Sequence, residues 1–383
     1  MTTKRKKQNE TRKKNYKATF EEIKNTLDLI ENEEIVDRIY LSQLIIDKIE
    51  DIKTLKSKLQ VQIGFDLESH FYNIKYLKIK DNNKFGTLAA GMRKDKKGYP
   101  HYYCNIDFSP SNIYGNNLKN MNLNECKSAL EDIQAYLLME YGIHIKFCNV
   151  VISKIEINRN IATEYEYKEY TRLLELICYS ISNRYLKPYL MEIKKINKEK
   201  RRVELETIIR KNNSIELNVY NKTEQLKSKG IKVDDYPPIM RVEIKLLSPK
   251  RIKQAFKTNR LNDLTDEQIN IFYKKQVDKY IKMGYEKLKK ENEKKLKRLL
   301  IKEKANKHWK TKALLHCNTI SIENDEIPLV IDINDYIDAV NEIENNGHKA
   351  RNKEDILEYN KKYIHIPDDT NAKYIELVSK LVI

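Results

Sequence analysis

At 383 residues the chain is long enough for two or three domains and a large buried core. Lys and Arg total 73 against 56 Asp and Glu, a formal net charge of +17 that makes a polyanion the first partner to consider, while 40% hydrophobic residues exclude a wholly disordered basic chain. The nine glycines fall well below the usual share. Neither GxGxxG nor GxxxxGKS/T occurs, which argues against a dinucleotide enzyme and a P-loop ATPase.

The cysteines, Cys104, Cys126, Cys148, Cys178 and Cys317, are scattered and form no CxxC pair. They fit free thiols in a reducing compartment better than a disulfide framework or a zinc ribbon. The basic start, MTTKRKKQNETRKK, is not followed by an apolar run, and no stretch of 18 apolar residues exists. These features predict a cytoplasmic protein with neither a secretory signal nor a membrane span.

Residues 1–17 read as a solvated basic arm. From Thr19 to Leu59 apolar residues recur at three and four (Phe20, Ile23, Leu27, Ile30, then Ile35, Ile39, Leu41, Leu44, Ile45, Ile49), which predicts a small helical region. From Phe65 the pattern turns to strands: Phe71–Lys80, Thr87–Met92 and His101–Phe108, with a turn at Gly98-Tyr99-Pro100. A helix is predicted over Asn122–Tyr141, a strand over Lys146–Asn158 and a helix over Glu166–Asn183. Strands follow at Arg202–Arg210, Ser214–Asn221 and Ile239–Leu247. Beyond Ser248-Pro249 the chain reads as helical and strongly charged, with a long pattern over Thr265–Lys312 and short helices over Asp332–Val340 and Lys353–Tyr363. The expected fold class is α+β with a largely antiparallel sheet. The expected domains are a basic arm and helical region (1–62), an α+β domain (63–250) and a charged helical C-terminal region (251–383).

The polar faces of three strands are the most informative feature. Side chains two apart on a strand share a face. Lys154, Glu156 and Asn158 oppose the apolar Val151, Ile155 and Ile157. Glu216, Asn218, Tyr220 and Lys222 oppose Ile215, Leu217 and Val219. Arg241, Glu243 and Lys245 oppose Met240, Val242, Ile244 and Leu246. An antiparallel sheet often turns such a face to solvent, with charges that serve solubility alone. The other reading is phosphoryl transfer: carboxylates hold Mg²⁺ or Mn²⁺, Arg or Lys assists phosphate oxygens, and a tyrosine attacks phosphorus.

Three segments stand in order: ISKIEINRN (Ile152–Asn160), LNVYNKTE (Leu217–Glu224) and, 17 residues after Glu224, RVEIKL (Arg241–Leu246). This order resembles the replication initiation proteins of rolling-circle plasmids and filamentous phages, the Rep-trans or replication initiation factor lineage. The resemblance covers roughly residues 150 to 250, on motifs of four to six residues each. It implies that Tyr220 is the nicking nucleophile, that Glu156 and Glu243 hold Mg²⁺ or Mn²⁺, and that Lys222 and Arg241 are the adjoining cationic residues of the catalytic set. Lys154 and Glu156 stand where Arg and Asp are more usual, and Asn218 stands where an arginine often precedes the tyrosine. The HxH motif of the other large class of rolling-circle initiators is absent.

The implied reaction joins Tyr220 to a 5′ phosphate of single-stranded or extruded origin DNA and frees a 3′ hydroxyl for extension. The implied partners are origin DNA, a host helicase and a second copy of the chain. The alternatives are a non-catalytic sequence-specific DNA-binding initiator and a structural or RNA-binding protein with a charged sheet. Tyr165 and Tyr170 are competing nucleophiles, and Glu204, Glu206 and Glu216 are further candidate ligands. The lysine run 287–312 reads either as a phosphate contact or as a solvated helix with Glu–Lys pairs, and Trp309 as packing.

Overall fold

The computed structural model describes residues 35–49, 61–66, 71–81, 86–94, 100–109, 113, 118–147, 150–180, 187–192, 205–230, 237–318, 332–344, 348–366 and 368–382. The basic arm, the pattern over 19–34, the turn residues Gly98 and Tyr99, Cys148 and Glu204 lie outside them. The fold is α+β, as the alternating patterns imply, and the chain forms two compact units: 1–162 with 211–273, and 163–210 with 274–383. The second unit is thus assembled from an insertion and the C-terminal stretch, a discontinuity that a linear partition of the sequence does not express.

The first unit is built on an antiparallel sheet. Its strands are β1 (Val36–Ile49), β2 (Val61–Asp66), β3 (Phe71–Asp81), β4 (Gly86–Lys94), β5 (Pro100–Phe108), β6 (Ile143–Lys146) and β7 (Val151–Ala162). In the second unit lie β8 (Lys187–Glu192) and most of β9 (Leu205–Lys211); the first unit continues with β10 (Ile215–Asn221) and β11 (Ile239–Leu246). Within the first unit the order is β2-β3-β4-β5-β1-β7-β11-β10, with β6 paired to β1. The four strands β1, β7, β11 and β10 that carry the site are therefore lateral neighbours.

The stretch 36–49, read as helical, is a strand at the centre of this sheet. Its buried apolar residues are Val36, Ile39, Leu41, Leu44 and Ile46, at spacings of three, two, three and two. A regular strand would show only twos. Register shifts against its neighbours fall between Val36 and Arg38, and between Leu41 and Leu44. Each places two residue steps, or three, opposite one step fewer, which is a β-bulge. Bulges turn a period of two into one that mimics the helical three-and-four spacing, and this misled the periodicity. The content of VDRIYLSQLIIDKI, rich in β-branched residues, fits a strand. A further shift falls between Tyr40 and Leu41 against Lys154 and Ile152, so that Ile152 faces the core in place of the expected Val151.

The other strands of this region keep the expected alternation. Ile155, Ile157, Val242, Ile244 and Leu246 are all buried, each contributing on the order of 1.5–3 kcal/mol by leaving water. Helix α1 (Leu123–Tyr141) starts at a capping box in which Asn122 and Glu125 satisfy each other's backbone N–H groups, and stops at Gly142 in the left-handed region. Helix α2 (Tyr167–Ser180) belongs to the second unit. Helix α3 (Lys222–Ser228) follows β10 without a loop, capped by Asn221, and α4 (Pro249–Phe256) starts at Ser248 with Pro249 in its first turn. Helix α5 (Asp266–Val277) places Tyr273 against Arg159 and the carbonyl of Val242.

A π-helical turn (Asp278–Lys282) leads into α6 (Met283–Glu303), followed by α7 (Trp309–Asn318), α8 (Ile333–Glu344), α9 (Lys349–Tyr359) and α10 (Thr370–Val382). Leu296, Leu300, Leu314, Ile333, Tyr336, Val340 and Ile356 form a core shared by α6 to α9, with Trp309 packed against it as expected. No helix among the described residues is long and apolar enough to cross a membrane. Cys104, Cys126 and Cys317 are buried free thiols.

Candidate metal centre and tyrosine site

Register alone brings the polar groups together. Across β10 and β11, Tyr220 faces Arg241, Asn218 faces Glu243 and Glu216 faces Lys245. Across β11 and β7, Arg241 faces Asn160, Glu243 faces Asn158 and Lys245 faces Glu156. Across β7 and β1, Glu156 faces Arg38. The β1 bulge then adds a residue that the polar-face pattern does not select. Val36 pairs with Ile157 and Arg38 with Glu156, so Asp37 is the extra residue between two consecutive partners. Bulges re-aim side chains, and the Asp37 carboxylate lies with those of Glu156 and Glu243, all three within 4.8 Å of one another.

The start of β1 is held in place by the segment before α1. Backbone bonds of 2.8 and 3.2 Å join Met121 and Val36. Asn120 donates to Asn158 at 3.2 Å and Asn160 donates to the Leu118 carbonyl at 3.1 Å. Asn160 also accepts from Arg241 Nε at 2.7 Å. The Arg241 guanidinium in turn lies 3.4 Å from Asp37 Oδ1.

This face is not a solvated surface. Arg241 is 2% exposed and Glu243 4%, and buried charges persist only when paired or holding an ion. Lys245 Nζ lies 3.0 Å from Glu243, 3.6 Å from Glu216 and 3.9 Å from Glu156. Asn218 donates to both Glu216 and Glu243 at 3.0 Å. Its own buried Oδ1 has no hydrogen-bond partner among the described residues, nor has Asn158 Nδ2.

The ionisation of these groups follows from their crowding. Burial pushes Glu156 up to about 7; Lys245 opposes that shift, while Glu243 and Asp37 add to it. Tyr40 donates to Glu156 at 3.2 Å. Burial also pushes the Tyr220 phenol up to about 12, Arg241 pulls it back, and Glu243 and Asp37 raise it further. Lys245 is raised by its carboxylates despite burial.

The five residues expected from sequence are placed as follows. Tyr220, Arg241, Glu156 and Glu243 share the polar face of β10, β11 and β7. Lys222 does not continue the β10 face: it is the first residue of α3, 1% exposed, with Nζ donating to Gln225 Oε1 at 2.7 Å. Burial, then the neighbouring Arg241, holds its ammonium well below the usual lysine range. Glu216 joins the cluster through Lys245; the Glu206 side chain lies outside the described set. Tyr165 and Tyr170 belong to the second unit, where the Tyr170 hydroxyl donates to Glu376.

The donor set fits a hard divalent cation. Three carboxylates supply oxygen ligands, and their mutual spacing is one that two metal–oxygen bonds of about 2.1–2.4 Å can bridge. The partnerless Asn218 Oδ1, on the strand position facing Glu243, offers a further oxygen. The triad can therefore hold a metal ion. No protein-family model matches the chain, and no curated protein sequence matches it.

Proposed function

We propose that this protein is a replication initiator of the rolling-circle type, which nicks origin DNA through Tyr220 with a divalent cation held by Asp37, Glu156 and Glu243. The observation that carries this reading is the convergence, on four adjacent strands, of a tyrosine paired with a buried arginine and a triad of acids within 4.8 Å of one another. A phosphodiester under attack develops negative charge on its oxygens, and a bound Mg²⁺ or Mn²⁺ supplies the compensating positive charge.

The chain's own residues perform the remaining work. Tyr220 Oη attacks phosphorus, the bond to the 3′ oxygen breaks, and that oxygen leaves with a proton as a 3′ hydroxyl. Arg241, which lowers the Tyr220 pKa, stabilises the phenolate as the proton departs. Lys222, whose pKa is lowered by burial and by the neighbouring Arg241, is the candidate to take up that proton. Asp37 and Glu243 oppose phenolate formation when bare, and a dication held by the triad would reverse the sign of that local field. The partners of this reaction are origin DNA, a host helicase and a second copy of the chain, in the cytoplasm.

The test is conversion of supercoiled DNA from the protein's own replicon to open circles. Nicking is expected with Mn²⁺, to be lost with chelator, and to fall at least 100-fold in Asp37→Asn and Glu243→Gln. Full nicking by both variants would overturn the reading.

A second reading, a non-catalytic DNA-binding initiator, draws on Lys245. Its ion pairs with Glu156, Glu216 and Glu243 offset acid charge without any metal. It predicts sequence-specific origin binding that neither Mn²⁺ nor Tyr220→Phe changes.

A further inference from the structure

Six of the eight cations of helix α6 fall into two classes. Lys289 lies 3.7 Å from Asp335, and Lys297 lies 2.7 Å from Glu342, so these flank lysines are neutralised by α8. Lys287, Lys290, Lys294 and Arg298 are exposed and recur every three or four residues, which places them on one outward stripe. On that stripe only Lys287 has a carboxylate, Glu291 at 3.9 Å. Among the described residues Lys290, Lys294 and Arg298 have none. Glu286 and Glu293 project about a quarter-turn to one side at 100° per residue. The opposite face of the helix is committed to the core through Leu296 and Leu300.

A merely solvated helix would alternate signs at i,i+4, because like charges there destabilise it. Lys290, Lys294 and Arg298 instead repeat one sign at i,i+4 and, with Lys287, span 11 residue steps, about 16 Å at 1.5 Å per residue. We infer that Lys287, Lys290, Lys294 and Arg298 form a docking surface for the phosphate backbone of duplex DNA. The inference rests on the proposed function only in taking DNA as the polyanion. Charge complementarity selects that occupant: the net charge is +17, and duplex DNA carries a charge for every ~1.7 Å of axis. A bilayer surface fits less well, because the exposed apolar neighbours Met283 and Ile301 are isolated at the two ends of the stripe and form no continuous apolar face.

The experiment measures binding of the full chain to a duplex of mixed sequence from 50 to 200 mM NaCl. Against the wild type stands the variant K287Q/K290Q/K294Q/R298Q. Every phosphate left without its cation reduces the slope of log K against log salt by about 0.9, so the variant's slope is expected to be shallower by roughly 3 to 4. The control K289Q/K297Q removes flank lysines and is expected to keep the wild-type slope. An unchanged slope in the fourfold variant, or an equal flattening in the control, would overturn the proposal. So would duplex binding that persists while binding to vesicles of phosphatidylserine and phosphatidylcholine is lost. Covalent adduct formation on a short single-stranded oligonucleotide is measured in parallel. A flattened slope without any adduct in the wild type would sink the nicking reading and leave this surface standing.

Discussion

Glu156 shows how one buried carboxylate couples stability to function. Its pKa is raised to about 7 from 4.5, so between those values the folded chain holds a proton that the unfolded chain has released. The stabilisation from the neutral form is complete below about 4.5 and is lost as pH rises through 7. At about 1.4 kcal/mol per unit, the loss is roughly 3 kcal/mol. The urea midpoint of the metal-free protein is therefore expected to fall between pH 5 and pH 8, and Glu156→Gln to abolish most of that fall; equal slopes for both would contradict the assignment. Metal binding opposes the same proton, so apparent affinity for Mn²⁺ should rise with pH up to about 7 and then level. Lys222 gives a second test. Its 1% exposure and the neighbouring Arg241 make it costly to charge. Lys222→Met should leave urea stability within about 1 kcal/mol of wild type or raise it, while lowering nicking. A large loss of stability would make the lysine structural.

At the scale of elements, the acidic centre depends on one inserted residue. Because Val36 and Arg38 oppose the consecutive residues Ile157 and Glu156, removing Asp37 leaves a ladder without a bulge. A chain lacking Asp37 is expected to keep its sheet, with an unchanged circular dichroism spectrum, and to bind Mn²⁺ at least tenfold more weakly by calorimetry. A collapsed spectrum would mean that the bulge itself sustains the fold. The same bulge explains what the sequence concealed. The polar faces holding Asn218, Tyr220, Arg241 and Glu243 were legible because β10 and β11 are regular and a period of two assigns them, although the register that pairs Tyr220 with Arg241 was not. Asp37 was not, because its strand imitates a helix. Helix α10 was hidden differently. Its buried positions, Thr370, Lys373, Leu377 and Leu381, are half polar. Lys373 is held there by Asp369 at 2.8 Å and lies over the Tyr165 ring at 4.9 Å, so its burial follows from tertiary partners that no local pattern announces.

For the whole molecule, the fold divides the work between units: the triad and Tyr220 lie in one, the cationic stripe of α6 in the other. A metal that binds only the folded triad stabilises by about 2.7 kcal/mol at a hundredfold excess over its dissociation constant. Hydrogen exchange with Mn²⁺ should slow in β1, β7, β10 and β11 and remain unchanged in α6 to α9; protection spread evenly over both units would contradict a single site at the triad. The class α+β and most strands followed from alternation, but the crossings of the chain between units did not, since they depend on packing between distant segments. The central claim is the chemistry of Tyr220, and covalent capture tests it most directly. The protein is incubated with Mn²⁺ and labelled single-stranded oligonucleotides tiled across its own replicon, resolved on a denaturing gel, and any shifted band is digested for mass spectrometry. The account predicts a 5′-phosphotyrosyl adduct on the peptide containing Tyr220, absent in Tyr220→Phe. An adduct that survives this substitution, or tight origin binding with no adduct on any oligonucleotide, would contradict it.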